Sequence, residues 1–213
     1  MNQPTFFCMK PLRVLQVLAF GWLCALPASA WAQGKSAPAV PPPKKPMAKP
    51  SKLIYHQPPP IVNKDLESVI TQENSRAVVS LSKQRIYLMT GDQIYIDSPI
   101  SSGKAGHTTP SGQFAVREKD PDHRSSIYGD FVDGKGRTVR SGISSKIDSA
   151  PSGTRYVGAS MKWFCRLTDT GVGFHVGILP GYAASHGCVR LPSEIAPLIY
   201  AKVKIGTPVR IEP

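Results

Sequence analysis

From Arg76 onward the chain alternates apolar and polar positions with a period of two. Val79 and Leu81 alternate with Val78, Ser80 and Ser82, and Lys83-Gln84 makes a polar break. Ile86 and Leu88 then alternate with Arg85, Tyr87 and Met89. Gly91-Asp92 is a turn signal, after which Ile94 and Ile96 share a face. Such runs predict short antiparallel strands joined by tight turns. Phe114 and Val116 continue the pattern, as do Val172, Phe174, Val176 and Ile178, and Val209 to Ile211 predicts a last strand. Helical spacing occurs twice. Leu66, Val69 and Ile70 predict a short helix within 64–73, and Ser193 to about Val203 predicts another. The second has Ser193 as N-cap, Glu194 in the first turn and Pro197 where a helix still tolerates proline. Residues 120–155 are polar, rich in Gly, Ser and Asp, and without a helical period. They predict long loops with short strands inside, and loops of that length in a compact domain are usually functional. The class is mainly β, one domain with one or two short helices.

The first sixty residues follow none of these periods. Lys10 and Arg13 precede Val14 to Leu26, an apolar run broken only by Gln16. A membrane span needs about 20 apolar residues, so the run is short for one. Pro27 ends it, and two small-x-small cleavage sites follow, Ala28-Ser29-Ala30 and Ala30-Trp31-Ala32, with cleavage expected after Ala32. Residues 1–32 therefore read as a signal peptide, leaving no stable membrane span after cleavage. Residues 33–62 read as a linker, because 34–60 hold nine prolines and five lysines and cannot bury a core. The domain is expected over 63–213. An exported location, in the periplasm or cell envelope, follows.

Charge sharpens this division. The net charge is +12, yet residues 1–60 hold 7 Lys/Arg and no Asp or Glu. The remainder carries 19 basic and 14 acidic residues. With the excess in a tail rather than a motif, no nucleic-acid partner is expected. A mildly basic domain suits a carboxylate-bearing substrate.

Candidate chemistry concentrates in Ser185-His186-Gly187-Cys188-Val189-Arg190-Leu191. A cysteine attacks carbonyls as its thiolate and needs a base nearby. Gly187 permits a tight turn in which N–H groups converge, as an oxyanion hole requires. The upstream alternation puts His175 on the face opposite Val172, Phe174, Val176 and Ile178. Between Gly173 and Gly177, it reads as standing on an open face. A hairpin-like return through Leu179-Pro180-Gly181 would bring it back to Cys188.

The stretch from Phe174 to Leu191 resembles the catalytic motif of YkuD-type L,D-transpeptidases. The resemblance extends to Ser102-Gly103-Lys104, Thr109-Pro110-Ser111-Gly112 and Gly206-Thr207-Pro208-Val209. It covers about residues 76–213. It implies an L,D-transpeptidase-like β-sandwich in which Cys188 is the acylated nucleophile and His175 the general base. His186, Gly187 and Cys188 would supply oxyanion-hole N–H groups. Ser185 would bond within the site, and Arg190 would order the loop or meet a substrate carboxylate. The implied substrates are peptidoglycan stem peptides. The acyl acceptor would be an amine of a second stem, or an envelope protein. The implied roles are cell-wall biogenesis and cell shape. A hydrolase on the same scaffold, an L,D-carboxypeptidase or amidase, is the alternative; a non-catalytic wall-binding module is a third reading. The residue after His175 is Val176, whose side chain cannot orient an imidazole, so a third site member is left unassigned.

Other residues carry plainer expectations. Cys165, in Trp163-Phe164-Cys165, reads as core, although a Cys165–Cys188 disulfide would be an alternative in an oxidising compartment. Trp163 and Tyr128 read as packing, and His107 and His123 as polar-loop residues without an assigned catalytic role. Asp120-Pro121-Asp122-His123-Arg124 reads as a charged loop, with a substrate wall as its alternative role. A zinc site from His175, His186 and Cys188 would lack a fourth ligand and paired spacing. No metal or other cofactor is expected.

Overall fold

The computed structural model describes residues 57–213; the segment read as a signal peptide and most of that read as a linker lie outside the described residues. In chain order the elements are β1 (Ile61–Val62), a 3-10 turn (Lys64–Leu66), β2 (Ser75–Ser80), β3 (Arg85–Thr90), β4 (Gln93–Pro99), β5 (Gly112–Ala115) and β6 (Glu118–Asp120). There follow β7 (Arg124–Val132), β8 (Thr138–Ser144), β9 (Arg155–Ser160), β10 (Phe164–Arg166), β11 (Gly173–Val176), β12 (Val189–Leu191), α1 (Ala196–Lys202) and β13 (Pro208–Glu212). Six strands form one sheet in the order β1-β4-β3-β2-β13-β5. Four form a second, β12-β11-β10-β6, and three a third, β8-β7-β9.

The first two sheets share one hydrophobic core, to which α1 contributes Ile199. Val79, Ile86, Leu88 and Val209 supply the first sheet's inner face; Cys165, Phe174, Val189 and Leu191 supply the second's. Each buried aliphatic or aromatic side chain contributes roughly 1.5–3 kcal/mol. The β2-β3-β4 meander is antiparallel as the alternation predicts. Ile94 departs from it. A register shift opposite Leu88/Met89 pairs Leu88 with Ile96 and Met89 with Ile94, so Tyr95 is the extra residue. This bulge resets the alternation, burying Tyr95 and exposing Ile94.

Both helices are shorter than their patterns predict. The first is a single 3-10 turn that buries Leu66 and leaves Val69 exposed, while Ile70 tucks in just beyond. The second begins at Ala196, with Ile195 as a cap that makes no side-chain bond. Ser193 is not the cap; its hydroxyl donates to Glu194 Oε2 (3.1 Å). The Pro192 carbonyl instead accepts from Ile195 and Ala196, and Pro197 fits the first turn, where its missing N–H costs nothing.

The polar region 120–155 is more ordered than its composition suggests. It contributes β7 and β8, which with β9 make the third sheet. Nearly all of β8 is exposed, so no buried face imposes a period-two apolar pattern.

Candidate active site

The four-stranded sheet has two unlike faces. In its register Cys165 opposes Lys119 and Phe174, and Phe174 opposes Val189. These side chains share a face, where Cys165, Phe174 and Val189 enter the core. Alternation sends Glu118, Asp120, Phe164, Arg166, Gly173, His175 and Arg190 to the other face. Cys188, two residues before Arg190, joins them. A cavity of about 790 Å3 lies over this face, with His175, Cys188, Arg190 and Arg166 in its floor. Ser125, Ile127 and Tyr128 of β7 form its opposite wall.

His175 and Cys188 therefore come to the same cavity on one face of the sheet, but not through a hairpin. Strands β11 and β12 pair in parallel, with Phe174 opposite Val189 and His175 opposite Arg190. A parallel pair requires a crossover, and residues 177–188 provide it. They pass over the segment at 101–104. Ala184 and Ser185 N–H both donate to Ser102 O (2.9 Å each), and Lys104 N–H donates to Ser185 O (3.1 Å).

His175 is only 8% exposed, so it does not stand on an open face. Its flanking glycines serve the protein rather than a substrate. A Cβ on Gly173 would meet Cys165 O at 2.3 Å, and one on Gly177 would meet Arg190 Cγ at 2.6 Å. Gly173 thus allows close strand approach, and Gly177 yields its space to the Arg190 stem. Ile178, expected inside, is 81% exposed because the strand has ended before it.

The imidazole is oriented by its own strand. Nδ1 lies 2.7 Å from Val176 O. A carbonyl only accepts, so Nδ1 carries the proton and Nε2 keeps its lone pair. The Val176 backbone carbonyl, not its side chain, orients the imidazole. Burial drives the His175 pKa down to about 4, against the Val176 hydrogen bond, which raises it; the charges of Arg190 and His123 lower it further. Burial also pushes the Cys188 thiol up, offset by the Gly173 N–H and by the charges of Arg190 and Arg166. At neutral pH both partners are uncharged, and the thiol donates to Gly171 O (3.5 Å).

The turn before Cys188 is clamped from two sides. Gly187 adopts φ +118°, a left-handed conformation that a side chain would strain. The Ser185 hydroxyl donates to Cys188 O, and Gly187 N–H donates to Ser185 Oγ (3.1 Å). From behind, Thr109 Oγ1 donates to Gly187 O (2.7 Å) and accepts from Gly103 N–H (2.9 Å). Thr109 is buried. The sequence holds it in Thr109-Pro110-Ser111-Gly112, but a hydroxyl acting across 78 residues leaves no local signal. Arg190 packs its stem at Gly177 and sets Nη1 3.5 Å from Ile178 O in the crossover. His186 is exposed and lines the mouth of the cavity, its ring stacked on Tyr128 (centroids 4.4 Å) and edge-on to His107 (4.8 Å).

The two thiols are free and occupy opposite faces of the sheet. Cys165 is buried in the core, its pKa raised to about 12 by desolvation. Glu118, Asp120 and His123 also gather within 4.8 Å, a spacing a metal ion could use. Their charges are matched within the protein. Glu118 pairs with Arg166 Nε, and Asp120 binds His123 Nδ1 (3.1 Å) and Asp122 N–H (3.0 Å).

The family profile described as YkuD, L,D-transpeptidase catalytic domain, matches residues 74–211. No curated protein matches the chain. Among solved structures, an L,D-transpeptidase from Mycobacterium smegmatis is similar, with TM-score 0.50 and 20% identity over 66% of this chain and 59% of that one. L,D-transpeptidase 3 from Mycobacterium tuberculosis gives TM-score 0.48 and 21% identity over 66% and 61%. At these identities the likeness concerns the fold, and the chain spans about three-fifths of the length of those structures.

Proposed function

The chain belongs to the YkuD family of L,D-transpeptidase catalytic domains, and on that premise we propose that it is an exported cysteine acyltransferase acting on peptidoglycan stem peptides. One observation carries the reading. Cys188 and His175 share one face of one sheet under a single cavity, with the imidazole held by Val176 O so that Nε2 is the basic nitrogen.

Because burial disfavours both charged forms, the site rests as neutral thiol and neutral imidazole. As Sγ attacks the carbonyl between the L-centre of the diamino acid and D-Ala, its proton passes to His175 Nε2. The Cys188 and His186 N–H groups receive the oxyanion. Gly187 N–H, occupied by Ser185 Oγ, shapes the turn instead. The C–N bond breaks, His175 returns the proton to the departing D-Ala amine, and Cys188 holds the acyl group as a thioester. An amine of a second stem then takes that group. Arg190 orders the crossover and adds positive charge where a substrate carboxylate would lie.

Residues 1–32 serve as the export signal and 33–62 as the spacer that lets the domain reach the wall from the envelope. The domain itself needs no anchor in this scheme, and no helix among the described residues is long and apolar enough to cross a membrane.

Intact mass after incubation with a carbapenem tests the nucleophile. The expected result is a single adduct that Cys188→Ala abolishes. Reduced, folded protein that forms no adduct would overturn the proposal.

A further inference from the structure

Cys188 and His175 account for forming a thioester but leave a second imidazole in the same cavity unused. His123 lines the cavity with them. Its ring stacks on Phe164, with centroids 4.3 Å apart and planes 15° from parallel. Phe164 lies on the cavity face of β10, beside the His175 column of β11. The imidazole thus stands one strand away from His175, and its charge is felt there.

His123 is held as a catalytic histidine is held. Nδ1 lies 3.1 Å from Asp120 Oδ2, and Asp122 N–H fixes the other oxygen of that carboxylate at 3.0 Å. The backbone is pinned as well: His123 O accepts from Met161 N–H (2.8 Å), and Pro121 O accepts from Trp163 N–H (2.9 Å). A carboxylate at Nδ1 places the proton there and leaves Nε2 basic. His175 has only a carbonyl in this role. The two also differ in access, since His123 is half-buried while His175 is buried.

The second half-reaction needs such a group. An acceptor amine is an ammonium at neutral pH, its ordinary pKa being about 10, and it attacks only after losing a proton. His175 is buried and already engaged with the Cys188 proton. We propose that His123, oriented by Asp120, is the base that deprotonates the incoming acceptor amine. The inference rests on the acyl-enzyme reading above. The ammonium gives one proton to His123 Nε2, which releases it to solvent. The amine nitrogen attacks the thioester carbonyl, the C–N bond forms and the C–S bond breaks. The nitrogen loses its second proton through His175 to the departing Cys188 sulfur. One amide, one thiol and one solvent proton result.

The test separates the two half-reactions in the full chain, using a tetrapeptide stem as donor. Carbapenem adduct formation and the single-turnover burst of D-Ala report acylation. Transfer to glycinamide, present as an ammonium, reports the second step. His123→Gln should acylate within about a few-fold of the wild-type rate, accumulate thioester, and transfer about 100-fold more slowly, the low end of general-base effects. Hydroxylamine, already neutral at that pH, should restore transfer. Asp120→Asn should slow the same step by a smaller factor. Equal losses in both steps, or none in either, would overturn the proposal and leave His123 as a wall residue. A wild-type chain that forms no adduct would overturn the acyl-enzyme reading itself.

Discussion

The two faces of the β6-β10-β11-β12 sheet share a backbone and differ in everything else. One presents Cys165, Phe174 and Val189 to the core. The other presents Arg166, His175 and Arg190 to a cavity, with Cys188 at its edge. A thiol on the first face is a packing group whose ionisation is driven up to about 12. The thiol on the second has Arg190, Arg166 and the Gly173 N–H opposing the same desolvation. The parity of a residue along the strand, rather than its type, decides which environment its side chain meets.

Breaking the sheet between its faces should have the largest effect. Gly173→Ala places a methyl group 2.3 Å from Cys165 O, a backbone atom that cannot swing aside. About 3 kcal/mol of stability should be lost, together with adduct formation. Urea denaturation alongside intact mass measures both, and a variant as stable as wild type would contradict the packing account.

His175→Gln acts on the cavity face alone. Acylation should fall by roughly 100- to 10,000-fold, measured by single-turnover kinetics. The same variant tests linkage. His175 is held neutral by burial, with a folded pKa of about 4, whereas an unfolded histidine titrates near 6.5. The unfolded chain therefore binds more protons in that window. Stability is complete above pH 6.5 and declines as pH falls toward 4, by up to about 3 kcal/mol. Unfolding free energies at a series of pH values should show this acid loss in the wild type and its absence in His175→Gln.

Cys165→Ala probes the core face and should change least. The adduct should form at the wild-type rate, with a stability cost of about 1 kcal/mol for the lost packing. Slower adduct formation would mean that the two faces communicate.

What the sequence disclosed follows the same geometry. Ile86, Leu88, Phe174 and Val209 repeat a burial pattern, and burial writes itself as alternation. Cys188 and His175 stood out because glycines and a second histidine surround them. Missing from the local pattern was whatever depends on partners far along the chain. Tyr95 is buried only because a bulge shifts β4 against β3. Gly173 and Gly177 looked like substrate clearance until Cys165 O and the Arg190 stem were found beside them. Thr109 works on Gly187 from 78 residues away. The sequence predicted short strands within 120–155, but not their pairing into a third sheet, because β8 turns nearly every side chain to solvent.

The parallel ladder of β11 on β12 has one more consequence. Phe174 pairs with Val189 and Val176 with Leu191, so both halves of the proposed Cys188–His175 couple are fixed by the spacing of a single zipped seam. Displacing that seam by one position would swap inside for outside along the moved strand and pull the couple apart in one stroke. Catalytic output should then behave as an on-off gauge, vanishing together with the cooperative melting of this sheet rather than fading ahead of it.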